Sequence, residues 1–126
     1  MPNRERRVLL LGALVAMMAC GAPPTRTIGA ALRGGNAGRG KAEIEHYGCN
    51  ACHAIEGLPD PTVVVAAPIT GIAGRAYIAG TLANTPENLV KWIQFPQEAK
   101  PGTAMPDLAV SASDARDIAT YLYSLR

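Results

Sequence analysis

Apolar residues follow three different rhythms along this chain. The first is an unbroken apolar run from Val8 to Ala19, set behind a basic start carrying Arg4, Arg6 and Arg7. It is too short to cross the ~30 Å hydrocarbon core of a membrane as a helix. It has the form of a signal-peptide h-region, so residues 1–20 read as a leader and the chain as exported. The second rhythm is helical. Ala115, Ile118, Ala119, Leu122 and Leu125 recur at helix spacing within Ser111 to Leu125. That segment opens on Ser111-Ala-Ser-Asp114, which resembles a capping box with Asp in place of Glu. Thr85 to Phe95 starts with Thr85 as cap, Pro86 in the first helical position and Glu87 in the first turn. Leu89, Val90, Trp92 and Ile93 supply its apolar face, and Pro96 ends it. A short helix from Gly40 to Tyr47 closes at Gly48.

The third rhythm is its absence. From Ala54 to Asn84 there is little periodicity beyond a brief extended segment at Val63 to Ala67, and Gly57, Gly71, Gly74 and Gly80 punctuate the stretch. A connection of that length inside a small domain argues against the assignment unless something other than protein fills the interior. One Trp and one Phe make a thin core for the helices predicted here. Residues 21–38, rich in Gly, Pro, Ala and Thr, read as a flexible tether. The folded domain is then 39–126.

Export changes the charge balance. Twelve basic and ten acidic residues lose three Arg and one Glu with the leader, leaving nine of each. A near-neutral mature chain offers nucleic acid no basic patch and gives only weak long-range steering toward a partner. The run Met17-Met18-Ala19-Cys20-Gly21 is similar to a bacterial lipobox, with Met17 where the pattern usually has Leu. Cys20 is therefore the candidate for lipidation, which would anchor the protein on the outer face of the cytoplasmic membrane. Ordinary cleavage nearby is the alternative. A coil as long as residues 21–38 would give the domain a reach on the order of 25 Å.

The chemistry centres on Cys49-Asn-Ala-Cys52-His53. Cys-x-x-Cys-His is the attachment pattern of c-type haem: two thiols on one turn add to neighbouring vinyl groups, and the next residue brings an imidazole to the iron. Such cysteines have three other uses. A thiol–disulfide oxidoreductase would place Cys-x-x-Cys after a strand in a βαβ unit, a zinc site would need a further ligand for which only His46 is spare, and a structural disulfide suits an exported chain. Haem would also supply the missing core volume. Electron-transferring haem iron usually takes a Met opposite its His. Met1, Met17 and Met18 leave with the leader, so Met105, in the proline-flanked loop Lys100-Pro-Gly-Thr-Ala-Met105-Pro106, is the candidate second axial ligand. His46 lies three residues before Cys49, on the attachment side, and reads as a surface histidine.

These residues resemble class I monohaem cytochromes c over residues 38–125. The likeness rests on Gly40 to His53, on Lys100 to Pro106 and on Ala119-Thr-Tyr-Leu122. The run Ala79 to Ile93 is most similar to the cytochrome c domain fused to subunit II of some bacterial haem-copper oxidases, of which only the haem domain is matched. The resemblance implies an all-α fold of three main helices and long loops wrapped around one covalent haem. It implies that Pro68 offers its carbonyl to the proximal histidine, although Ala67-Pro-Ile-Thr70 departs from the family's Gly-Pro-Asp-Leu. It further implies that Arg75 lies near a propionate, that Trp92 lies over the haem beside the methionine, and that Thr103 hydrogen-bonds near the propionates. Ile44 would pack against Ile118 and Leu122 where the first and last helices meet.

The expectation is a one-electron carrier, not an enzyme. A quinol-oxidising complex would be the donor and a terminal oxidase the acceptor, or the chain would be a haem subunit of such a complex. A peroxidase-like protein with an open sixth iron position is the rival, and a dithiol oxidoreductase the remote third.

Overall fold

The computed structural model describes residues 29–63 and 65–125. Four helices order the chain: α1 (Ala37–His46), α2 (Pro86–Gln94), the short α3 (Pro96–Ala99) and α4 (Ala112–Ser124). A two-stranded antiparallel hairpin, β1 (Tyr77–Ile78) and β2 (Leu82–Ala83), pairs Tyr77 with Ala83 and Ile78 with Leu82. Short 3-10 turns occupy Ala30–Leu32, Cys49–Ala51 and Ile72–Gly74. The all-α class holds. Among the described residues, no helix is long and apolar enough to cross a membrane.

The caps are those the sequence offers. Thr85 accepts a hydrogen bond from the N–H of Asn88, and Ser111 accepts one from Asp114. Each satisfies a donor that the first helical turn leaves unpaired. The Asp114 side chain accepts instead from the Tyr47 hydroxyl at 2.9 Å, linking the end of α1 to the start of α4. Pro96 ends α2 and also opens α3, a turn the sequence did not announce.

The first and last helices meet through a bare backbone. Gly40 is buried, and a Cβ there would lie 2.0 Å from the Asp117 carbonyl oxygen and 2.8 Å from the Ile118 nitrogen. Only glycine lets α1 come this close to α4. Beside that contact, Asp117 is buried but satisfied: the Asn36 N–H donates to it at 2.7 Å, and Arg39 donates through Nε at 2.6 Å and Nη2 at 3.1 Å. Ile44, Ile118 and Leu122 are buried in one cluster with Leu89, Ile93, Ala115 and Ala119, as the resemblance implies for the helix pair. Removing a side chain such as Ile44 from water contributes roughly 1.5–3 kcal/mol.

Three expectations need correction. Helix α1 starts three residues early, because the Asn36 side chain accepts from the Arg39 N–H and caps it. The described part of 21–38 is not a free tether. Leu32 is buried, Gly29 sits against Pro86, and Gly35 sits against Thr120, so from Gly29 onward the chain is packed on the domain. The brief extended segment expected at Val63 to Ala67 joins no sheet at its described residues. Its hydrogen bond runs from the Ala66 N–H back to the Cys52 carbonyl at 3.2 Å, and Val63 and Val65 stand exposed. Residues 1–28, including Cys20 and the predicted leader, lie outside the described part.

Candidate functional site

One cavity of about 630 Å³ opens between the helices and the long loop. Its size is that of a small-molecule or cofactor site. The core residues Ile44, Leu89, Ile93, Ile118 and Leu122 form its floor, and Cys49, Cys52, His53, Pro68, Arg75, Trp92, Thr103 and Met105 all line it. Every cofactor residue expected from the sequence is thus gathered at one wall or another. His46 is not among the lining residues. It is exposed, with its ring edge-on to Tyr47 at 5.1 Å.

The attachment segment follows directly from α1. Gly48, at a φ of +71°, turns the chain out of the helix, and the 3-10 turn Cys49–Ala51 then sets Cys49 half-buried and Cys52 exposed. The His53 N–H closes the turn on the Cys49 carbonyl at 3.0 Å. The His53 Nδ1 lies 2.7 Å from the Ala67 carbonyl oxygen. A carbonyl can only accept, so Nδ1 carries the proton and Nε2 keeps its lone pair for a metal. An outer hydrogen bond of this kind fixes the ring and raises the basicity of the ligating nitrogen.

That finding corrects the role expected of Pro68. The acceptor is the carbonyl of Ala67, one residue earlier. The Pro68 carbonyl accepts instead from Arg75 Nη2 at 2.8 Å, and the same Nη2 donates to the Thr70 carbonyl at 2.7 Å. Arg75 lines the cavity, and this nitrogen braces the loop that carries Ala67. The brace is itself supported. Asn84 Nδ2 donates to the carbonyls of Ile72 and Arg75 at 2.6 and 2.8 Å, and Asn84 Oδ1 accepts from the Tyr123 hydroxyl at 2.6 Å. Burial pushes the Tyr123 phenol up to about 12, with Glu87 adding to the effect.

The methionine side is built from a turn. Thr103 donates its N–H to the Lys100 carbonyl at 3.2 Å across Pro101 and Gly102, the latter at a φ of +77°. Pro at the second and Gly at the third position suit a type II turn. Thr103 Oγ1 takes the Met105 N–H at a long 3.5 Å. Trp92 is half-buried on the same cavity wall system. The lining also takes in Val65 and Tyr77, both exposed, and Lys100, whose Nζ donates to the Ala79 carbonyl at 2.9 Å; none of the three has a part in the site expected from the sequence.

Two observations bear on the alternatives. Burial pushes the Cys49 thiol up, whereas a dithiol oxidoreductase needs its nucleophilic thiol pulled down. Among the described residues, no three His, Cys, Asp or Glu side chains gather as a metal cluster of the zinc type. The donor set that is present fits a haem: two thiols, an imidazole with Nε2 free, and a thioether around an apolar cavity.

Comparison with known proteins agrees with that chemistry. The sequence model of the cytochrome c family matches residues 37–126. Cytochrome c oxidase subunit 2 of Alkalihalophilus pseudofirmus is 38% identical over 92 residues, covering 71% of this chain and 26% of that protein. The chain therefore spans about a quarter of the length of this curated relative. Among solved structures, cytochrome c2 from Rhodobacter sphaeroides superposes with a TM-score of 0.58 at 18% identity, covering 72% of this chain and 96% of that one.

Proposed function

Because the chain belongs to the cytochrome c family, we propose that it carries single electrons through one covalently attached haem c, with His53 and Met105 as the axial ligands. Haem bound here supplies a one-electron iron couple. The protein's own residues do the rest. Cys49 and Cys52 provide the two thiols for thioether attachment, and His53 provides Nε2 while its Nδ1–H stays on the Ala67 carbonyl. Met105 provides a thioether from a loop whose turn and flanking prolines leave it little freedom to lose. The apolar walls limit water, which favours a small change in surroundings between the two charge states and a raised potential.

The observation that carries the reading is the sharing of one apolar cavity by Cys49, Cys52, His53 and Met105. If His53 and Met105 both hold the iron, no position would be left there for substrate, which is what would separate a carrier from a peroxidase-like enzyme. The visible spectrum of the reduced protein tests this. A carrier gives sharp low-spin α and β bands, an open-site enzyme a high-spin spectrum, and a dithiol protein none.

The likeness to an oxidase subunit supports a place in a respiratory chain outside the cytoplasm, either as a carrier from a quinol-oxidising complex to a terminal oxidase or as the haem subunit of such a complex. Lipidation of Cys20 would hold it at the membrane. Two or more acyl chains, at ~0.8 kcal/mol per buried CH₂, anchor a protein stably where one chain does not. Packing of the chain from Gly29 leaves residues 21–28 as the link, so the domain would work close to the membrane surface. Confinement there raises the effective concentration at an acceptor in the same membrane, which offsets weak charge steering.

A further inference from the structure

The methionine loop is gripped by a side chain with no part so far in the function. Gln97 is the second residue of α3, directly after the fully buried Pro96 that roots this short helix in the domain. Its Nε2 donates to the Thr103 carbonyl at 2.8 Å and to the Met105 carbonyl at 2.9 Å. A primary amide nitrogen has two hydrogens, and these two bonds use both. They reach the backbone on either side of Ala104. The Lys100–Thr103 turn fixes where the loop begins, and Pro106 restricts Met105 to extended backbone from the other side. Between them the Thr103 Oγ1 takes the Met105 N–H only at a long 3.5 Å, and the short bonds that set how those peptides are rotated come from Gln97.

Resting on the reading of Met105 as an axial ligand, we propose that Gln97 is a positioning residue for it, holding the Met105 backbone so that the thioether stays presented to the cavity. The donor character of the amide is what matters. A glutamate at 97 has the same length and shape, yet it turns carboxylate oxygens toward two carbonyl oxygens and repels them. A leucine keeps the helix and the bulk but makes no bond. Both changes should let the loop swing away more often, and neither touches His53 or the cysteines.

The test is the rate at which imidazole displaces the sulfur ligand from the ferric holoprotein, since that rate reports how often Met105 lets go. In Gln97→Glu and Gln97→Leu the limiting rate should rise by at least about tenfold, the factor that roughly 1.4 kcal/mol represents. The far-red band of iron–sulfur ligation should still be present before imidazole is added. Glu98→Gln, on the exposed neighbour in α3, should bind imidazole at the wild-type rate. A simple loss of helix stability would lower the melting temperature without this selective change in rate. Unaltered rates in both Gln97 variants, with the band intact, overturn the proposal and leave the ligand assignment standing. A wild-type protein without the band overturns the ligand assignment itself, and the role of Gln97 with it.

Discussion

The imidazole of His53 is held through Nδ1 by the carbonyl of Ala67, 2.7 Å away. Ala67 stands in a loop with no regular structure, so its carbonyl keeps its direction through bonds on both sides. The Ala66 N–H donates to the Cys52 carbonyl at 3.2 Å, the Ile69 N–H donates to the Ala54 carbonyl at 2.9 Å, and a side-chain brace lies beyond them. Arg75 holds the carbonyls of Pro68 and Thr70, and Asn84 holds those of Ile72 and Arg75. Arg75→Leu should lower the stability of the holoprotein by about 1–3 kcal/mol, two hydrogen bonds at roughly 0.5–1.5 kcal/mol each. It should also speed solvent exchange of the His53 Nδ1 proton, seen by NMR in the reduced protein. If stability falls but the proton stays as protected as before, Arg75 braces the loop without orienting the ligand.

Gly40→Ala tests the contact between the first and last helices. The new methyl would occupy the place of the Asp117 carbonyl, and that backbone cannot move without shifting α4. Overpacking a tight site of this kind costs about 1–3 kcal/mol, occasionally more. Denaturant unfolding of the holoprotein measures it. A loss of only a few tenths would mean the helices part easily.

Acid should weaken the fold through two carboxylates. Hydrogen bonding from the Arg39 guanidinium, with the Asn36 N–H, holds Asp117 below its ordinary 3.8. Hydrogen bonds to Ser111 and then Tyr47 do the same for Asp114. A carboxyl with a depressed folded-state pKa stabilises above the unfolded value, and that contribution is lost as pH falls through the folded one. The melting temperature should hold level down to about pH 5 and then decline. Asp117→Asn should melt lower at neutral pH and decline less in acid. An unchanged acid limb in this variant would show that the Arg39–Asp117 pair contributes nothing to it.

Much of the architecture is legible in the sequence, because the helices carry their own signals. Thr85 and Ser111 cap as their positions promise, and Ala115, Ile118, Ala119 and Leu122 bury the stripe they draw. Helix α1 is harder to read. Gly38 and Gly40 are poor helix formers, and what keeps Gly40 is the α4 backbone, distant in sequence. The hairpin was hidden because its strands are two residues each, and its turn places Ala79 at a φ of +51° beside Gly80 at +76°. An Ala-Gly pair is a weak sign of such a turn.

The cavity residues were legible where chemistry is local, as in Cys49, Cys52 and His53. Backbone partners were not. Nothing in Ala67 distinguishes its carbonyl from that of Pro68, and nothing in Gln97 announces the bonds it makes six and eight residues on.

Cys20→Ser addresses the membrane. The variant, expressed in its own host, should leave the membrane fraction for the soluble extracytoplasmic one with its visible spectrum unchanged. A wild-type protein that is wholly soluble, with no added mass at Cys20, would leave an ordinary secreted cytochrome.

Met105→Ala, followed by its ferric far-red spectrum, puts the whole arrangement to the most direct trial. Met105 is the one methionine in residues 19–126, so no other thioether of the folded domain can take its place. The wild-type holoprotein should show the weak charge-transfer band of iron–sulfur ligation. The variant should lose it, keep its covalent haem through Cys49 and Cys52, and shift to a lower potential. A band that survives the substitution, or that the wild type never shows, would contradict the axial pair on which the carrier function rests.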